Sequence, residues 1–325
     1  MAAPEVSVLL LTHNGVATLP RVLASIQAQV VPFPFEVVAV DSGSADGTLE
    51  LLRHGADRLI EIREAEFNHG TTRNMGVGAC RGPLVVLLVQ DAEPASAQWL
   101  ARLVEPLMAA TPAKGGSPPG RPLAGTYGRQ VPRADASAVA RAYLSRYMPE
   151  GLETRVRTIG GRAAFDALSP PERLAACTFD NVCSCIRRDI WEQHPFEASP
   201  IAEDLAWARD VMLAGYGLAY VPSAAVVHSH DRPAAYELRR TYLVHQQLRR
   251  LFGLATIPTA MLLARGVAVS AAAHARWTLG GPGSAGARLC QLPRALALAV
   301  ALPLGQFLGA RSADSGREFL RVRGV

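Results

Sequence analysis

Along the first hundred residues the apolar positions fall into two alternating rhythms. Val6 to Leu11 is a short run rich in Val and Leu, suited to a buried parallel strand, and it ends in the polar turn Thr12, His13, Asn14, Gly15. Leu19, Val22, Leu23, Ile26 and Val30 then keep the spacing of one helical face, with Thr18 placed to cap and Pro20 tolerated in the first turn. A second strand, Phe35 to Val40, stops at Asp41. The segment Asp41 to Gly47, DSGSADG, supplies turn residues and an N-cap for a helix carrying Thr48, Leu51 and Leu52. The pattern continues with a strand at Arg58 to Ile62, a helix at Thr71 to Cys80 and a strand at Leu84 to Val89. It closes with a helix at Ala95 to Ala110 whose Trp99, Leu100, Leu103 and Leu107 face inward. Such alternation predicts an α/β fold, a mainly parallel Rossmann-like sheet with helices on both faces. Ligands of such sheets bind beyond the carboxyl ends of the strands, and Asn14, Asp41 and Asp91 all follow strand ends.

The pattern is less regular after PAKGGSPPGRP at residues 112–122, a Pro and Gly-rich break. It predicts a strand at Leu123 to Gln130, a helical stretch around Ser137 to Tyr147, and a loop through Pro170 and Pro171. A turn or strand at Phe179 to Arg187 precedes a helix from Asp204 to Ala214, stopped by Gly215. A hairpin-like Leu218 to Val227 ends in His228, Ser229 and His230, where alternation along an extended chain points both imidazoles the same way. Leu251 to Ala264 and Ala295 to Ala310 are uncharged stretches of 14 and 16 residues flanked by Arg249, Arg250, Arg265, Arg294 and Arg311. Both fall short of the roughly 20 apolar residues of a membrane span. They read either as an interfacial helix pair held by arginines or as helices packed on the domain, and Pro258 and Pro303 argue against straight helices in either case.

Composition narrows the class. At 325 residues, 49% hydrophobic and 19% charged, the chain is a folded globular protein and not a disordered tail, a fibre or a disulfide miniprotein. Its net charge of +5, in which Lys114 is the only lysine, is spread along the chain and predicts no nucleic-acid partner. The five cysteines lack paired metal spacing and are odd in number, which predicts free thiols in a reducing cytoplasm. The N-terminal MAAPEVSVLLLTHN has no basic region and too short an apolar run for a signal peptide, so export by that route is not expected.

Eight segments carry the candidate chemistry in order: VSVLLLTHN, VAVDSGSADGT, FNHGTTRNMG, LLVQDAEP, YGRQVPR, FDNVCSCIRR, AEDLAWARDVMLAGY and VVHSHDR. Together they resemble the family 2 glycosyltransferases with the GT-A fold, and more closely their rhamnosyltransferase-like branch, over about Val6 to Asp231. The resemblance implies a GT-A domain at residues 1–235, with a nucleotide-sugar-binding half at 1–111 and an acceptor half at 123–235. Residues 236–325 form a C-terminal helical extension.

It further implies that Thr12, His13, Asn14 and Asp41 contact the nucleoside, although DSGSADG is also a good turn sequence on its own. Arg73 and Asn74, on the helix after Asn68, would face phosphate oxygens, or Arg73 would be an ordinary surface arginine. Many relatives bind a divalent ion through Asp-x-Asp at the fourth strand end; here the stretch is Val89, Gln90, Asp91, with one carboxylate retained. Asp91, with His228 and His230, is implied to hold Mg2+ or Mn2+, and Glu93 is near enough in sequence to help. Gln90 would lie beside the nucleotide sugar. Asp204, next to Glu203 at the start of an amphipathic helix, is implied as the base that takes the acceptor hydroxyl's proton in an inverting displacement, the helix N-terminus keeping it ionised; complementing the helix dipole alone is the alternative. Arg129, Asn181 and Trp207 fall on the acceptor side, where Trp191 and Trp207 could lie under a sugar or fill the core. Arg187 and Arg188 could meet phosphate or solvent. The implied reaction moves a sugar, L-rhamnose from dTDP-rhamnose, to a glycan or lipid-linked saccharide. The implied location is the cytoplasm, at the inner face of the plasma membrane if the apolar tail touches lipid. A UDP- or GDP-hexose transferase and a non-catalytic nucleotide-sugar-binding protein are the rival readings.

Overall fold

The computed structural model describes residues 3–109, 122–151 and 153–320, so residues 112–121 of the expected break lie outside it. The strands are β1 (Val6–Thr12), β2 (Phe35–Asp41), β3 (Arg58–Glu61), β4 (Leu84–Val89), β5 (Glu93–Pro94), β6 (Leu123–Val131), β7 (Arg155–Arg157), β8 (Cys183–Arg187) and β9 (Gly217–Val227). Among the helices α1 (Leu19–Gln27), α2 (Thr48–Gly55), α3 (His69–Ala79) and α4 (Trp99–Ala109) belong to the first half. They are followed by α5 (Ala138–Tyr147), α6 (Arg162–Ala167), α7 (Pro170–Ala176), α8 (Arg188–Gln193) and α9 (Glu203–Leu213). The chain ends in α10 (Ala234–Phe252), α11 (Ala260–Leu279) and α12 (Ala285–Ser315).

Nine strands share one sheet in the order β3-β2-β1-β4-β8-β6-β9-β5, with β7 also beside β9. β3, β2, β1 and β4 are parallel, and β8 enters antiparallel to both β4 and β6. β9 is parallel to β6. The sheet is thus mixed but mainly parallel, with apolar layers on both faces. Alternation along β1 sends Val6, Val8 and Leu10 to the side of α1 and α4, and Leu9 to the side of α3 and α9. Trp99, Leu100, Leu103 and Leu107 of α4 are fully buried there, each removal from water contributing about 1.5–3 kcal/mol.

Some local expectations are corrected. α1 stops at Gln27, leaving Val30 exposed, and the Thr18 hydroxyl donates to the Gly15 and Gln90 carbonyls instead of capping the helix. Pro170 and Pro171 open α7 and not a loop: proline needs no N–H in a first turn, and Ser169 with Glu172 forms a capping box. Residues 217–227 are one strand and not a hairpin. The register of β9 against β6 slips between Val221 and Ala225, so Pro222, which cannot donate to the ladder, sits in a bulge. The stretch Leu251 to Ala264 is split, because Gly253 ends α10 in the left-handed conformation (φ 73°) and α11 begins only at Ala260. α12 runs through Pro293 and Pro303 as one helix. It lies on α10 through Gly305 and Gly309, where a Cβ would collide with the Leu238 and Tyr242 carbonyls.

Candidate active site

Strand ends converge at the carboxyl rim of the sheet. Asp91 lies just past β4, and His228 and His230 just past β9. The two-residue β5 explains their meeting: Glu93 pairs with Val227 and Pro94 with Val226, which draws the chain leaving β4 across to the end of β9. The His228 backbone N–H also donates to the Val131 carbonyl at 2.9 Å, tying it to β6. Asp91 Oδ1 then lies 3.5 Å from His228 Nε2, and Oδ2 lies 3.5 Å from His230 Nε2. The three ligand-type atoms fall within 4.8 Å of one another. A carboxylate and two imidazoles converging on one point fit a divalent transition ion, with remaining positions for water and diphosphate oxygens. Burial raises the Asp91 carboxyl, but His228, then His230 and Arg133, outweigh it and hold the group below its usual value. Burial, then His228, push His230 down to about 4 against the pull of Asp91, so its ring is neutral at pH 7. Glu93, expected to help here, instead pairs with Arg21 at 3.6 Å.

The second cluster opens α9, where Ala202 turns the chain into the helix in the left-handed conformation (φ 60°). Glu203 is buried, and its Oε1 accepts from Arg73 Nη1 at 2.9 Å and from Asn181 Nδ2 at 3.1 Å. Burial raises the Glu203 carboxyl, yet Arg73 and His69 bring it below its ordinary value. Asp204 is half-buried, with the Asn181 N–H donating to Oδ2 at 3.4 Å. Burial, the neighbouring Glu203 and then Asp180 push its carboxyl up to about 8. This corrects the expectation that the helix N-terminus keeps Asp204 ionised, since desolvation and two like charges exceed the dipole's effect. Glu203, expected beside Asp204 in the chemistry, is consumed by Arg73 and Asn181 and acts on position.

Several expected donor-site residues are tied into the scaffold. Asp41 is fully buried, its Oδ2 accepting from Thr12 Oγ1 at 2.8 Å and Ser44 Oγ at 2.6 Å, and its Oδ1 from the Ser44 N–H at 2.8 Å. Its carboxylate holds the turn and offers nothing to a base in this arrangement. His13 Nδ1 donates to the Ser42 carbonyl at 2.9 Å, and Asn14 Nδ2 donates to His13 Nε2 at 3.0 Å. Asn14 Oδ1 accepts from the Ala45 N–H, so the loops after β1 and β2 form one platform. Gln90 clamps the first of these loops: Oε1 accepts from the His13 N–H and Nε2 donates to the His13 carbonyl, both at 2.9 Å. An aspartate could not reproduce that donor. Gly15 leaves room for the clamp, since a Cβ there would collide with the Gln90 amide.

Arg73, expected at phosphate oxygens, is buried against Glu203 and also donates to the His69 carbonyl at 3.1 Å. Asn74 is likewise used up, accepting from Trp191 Nε1 at 2.8 Å and donating to the Phe196 carbonyl at 2.8 Å. Of the residues expected on the acceptor side, Arg129 pairs with the exposed Glu150 at 2.5 Å and Asn181 is buried against Glu203. Trp207 is a core residue between Phe179 and Phe196, at centroid distances of 5.1 and 5.7 Å, and is not a sugar platform. Arg187 ends β8, which runs against β4, and Arg188 opens α8, so both sit at the opposite end of the sheet, with Arg187 bound to Asp189. The rim therefore gathers Asp91, His228, His230 and Asp204. Arg133, whose Nη2 donates to the Asp91 carbonyl at 2.5 Å, joins them without having been singled out, although it ends the YGRQVPR segment.

The glycosyl transferase family 2 sequence model matches residues 7–158, from β1 through β7. Residues 7–158 belong to glycosyl transferase family 2. The chain is 27% identical over 249 residues to the O-antigen chain rhamnosyltransferase RfbN of Salmonella typhimurium, covering 73% of this chain and 70% of the relative. It is also 27% identical over 219 residues to the O-antigen chain rhamnosyltransferase WbaN of Salmonella anatum, covering 64% and 61%. Its fold matches that of a mannosyltransferase from Pyrobaculum calidifontis solved with GDP-Man and Mn2+. That match has a TM-score of 0.57 over 98% of this chain and 89% of the other, at 18% identity. The chain therefore has the GT-A architecture, a mixed sheet with helices on both faces.

Proposed function

We propose that this chain is an inverting, Mn2+-dependent rhamnosyltransferase that moves L-rhamnose from dTDP-rhamnose to a glycan or lipid-linked saccharide. The observation that carries the reading is the convergence of Asp91, His228 and His230 at the same sheet rim as Asp204. The two O-antigen rhamnosyltransferase relatives support the donor. Two imidazole nitrogens favour Mn2+ over Mg2+, which prefers an all-oxygen octahedron. The bound ion would offset negative charge on the departing diphosphate. Asp204 accepts the proton of the acceptor hydroxyl as that oxygen bonds to the anomeric carbon, while the bond to the diphosphate oxygen breaks on the opposite face and inverts the centre. Arg73 and Glu203 hold the first turn of α9, and Gln90 and Asp41 hold the donor-side loops.

In this reading residues 1–235 are the transferase, divided at about 111–123 into donor and acceptor halves, and 236–325 place it at the cytoplasmic membrane face. α11 exposes Met261, Leu262 and Val269, α12 exposes Leu289, Leu296 and Val300, and Arg265, Arg276 and Arg288 lie among them. Apolar side chains with arginines at their margins complement an anionic lipid surface. The decisive assay pairs turnover with thermal unfolding across dTDP-, UDP- and GDP-sugars with Mn2+ present or absent. Transfer from dTDP-rhamnose alone, with a Mn2+-dependent stabilisation by dTDP that Asp91→Asn abolishes, is the expected result. A preference for UDP- or GDP-hexose would replace the donor, and binding without product in every acceptor would replace the reaction.

A further inference from the structure

Beyond the three residues facing one another at the rim, a hydrogen-bonded chain runs back from His228 into the protein. His228 is buried, and its Nδ1 lies 2.8 Å from Gln130 Oε1 at the end of β6. Gln130 Nε2 donates to Asp180 Oδ2, and Asp180 Oδ1 accepts from the Val182 N–H at 2.9 Å. Parallel pairing sets the spacing, because Gln130 lies opposite Val226, two residues before His228, while Asp180 sits three residues ahead of β8 on the other side of β6. Burial raises the Asp180 carboxyl above its usual value, against the pull of the Val182 N–H, His228, Arg240 and Gln130.

We infer that Gln130 is a positioning residue that fixes the tautomer of His228, with Asp180 setting which way the amide points. With Asp180 Oδ1 already bound to the Val182 N–H, the Gln130 amide turns its NH2 toward Oδ2. Its oxygen is then left for the imidazole, and an amide oxygen can only accept, so the ring proton resides on Nδ1. With that proton on Nδ1, the lone pair is left on Nε2, the atom 3.5 Å from Asp91. The reverse amide orientation would place a proton on Nε2, where it would oppose a cation. Outer hydrogen bonds of this kind orient metal-binding histidines and raise their basicity. Neither Gln130 nor Asp180 faces Asp91 directly, which is why spacing of metal-ligand residue types in the sequence does not single them out.

The inference rests on the metal reading of the site, and the test separates the two. Metal-free wild type labelled with 15N, compared with His228→Gln to assign the ring, should show His228 protonated on Nδ1; a proton on Nε2 overturns the inference. In a Mn2+ titration followed by electron paramagnetic resonance, without nucleotide, Gln130→Met should bind roughly 10–100-fold more weakly than wild type at an unchanged unfolding midpoint. Equal affinity overturns it. Should Gln130→Met not fold, Asp180→Asn takes its place, with the same loss expected and the same equality overturning it. Absence of Mn2+ binding in wild type removes the metal reading itself and this inference with it, whereas binding that Asp91→Asn abolishes and Gln130→Met leaves intact removes the inference alone.

Discussion

At the scale of single residues, the acid pair at the start of α9 divides its labour through environment. Asp204 is pushed up to about 8, so it carries a proton over most of the neutral range and, as the proposed base, would act only once that proton is lost. Turnover under kcat/KM conditions should therefore rise with pH from 6 to about 8 and then level, and Asp204→Asn should lose it at every pH. The same shift has a stability consequence with a definite sign. In the unfolded chain the carboxyl ionises near its ordinary value, whereas folded Asp204 holds its proton up to about 8, so the group contributes less stability as pH rises through that interval. Asp204→Asn should accordingly raise the unfolding midpoint at pH 7.5 relative to wild type and by less at pH 4.5; a lower midpoint at pH 7.5 would contradict the assignment. Glu203 behaves oppositely. Glu203→Gln leaves Arg73 buried without its counter-ion and should cost about 3–5 kcal/mol in urea unfolding, while Arg73→Met with Glu203→Leu should recover most of it. Strand-end position singled out Asn14, Asp41 and Asp91, while the family resemblance named His228, His230 and Asp204. They did not show that Asp41, Asn74, Arg73 and Gln90 are consumed by neighbours, because hydrogen-bond saturation depends on partners from 3 to 122 positions away.

At the scale of elements, legibility followed the source of each signal. β1, β2 and β4 were readable as short apolar runs buried on both faces, and α1 and α9 because each buries one face at helical period. The segments misread are those in which proline or glycine chemistry competes with tertiary pairing: α7 behind its two prolines, the bulged β9, and the break at Gly253. β5 could not be read at all, since two residues carry no period and their strand state exists only through β9. The seam between α10 and α12 gives a test at this scale. Gly309 lies against the Tyr242 carbonyl with no space for a side chain, and Tyr242 Oη and Ser312 Oγ share a hydrogen bond of 2.8 Å beside it. Gly309→Leu should cost about 1–3 kcal/mol by overpacking. Hydrogen exchange should show lost protection in α12 and retained protection in β1 and β4; unchanged protection in α12 would mean that the close approach contributes nothing to holding the helix.

For the molecule as a whole, one helix among the described residues, α12, is long and apolar enough to cross a membrane, yet it packs against both α10 and α11. Its buried residues include Ala295, Leu298, Ala299, Gly305 and Gly309, so one face is already committed to protein. What remains outward is the opposite face of α12 with most of α11, where among the described residues only His274 and Thr278 are fully buried, while Met261 is 77% exposed and Val269 62%. A helix pair with an inner face on protein and an outer apolar face suits the plane of a lipid headgroup layer better than a passage through it. Each arginine near an anionic surface adds about 1 kcal/mol, an attraction that decays within a Debye length of roughly 8 Å at physiological salt. Vesicles containing phosphatidylglycerol should thus carry the protein upward in a density gradient at low salt, with release as salt is raised and little flotation on purely zwitterionic vesicles. Val269→Asp with Leu296→Asp should abolish flotation while leaving transfer to a soluble acceptor saccharide intact, because both residues lie on the helical tail far in sequence from the rim that holds Asp91 and Asp204. Wild type remaining at the bottom of the gradient with anionic vesicles at low salt would remove the membrane role and leave α11 and α12 as a packed buttress of the transferase.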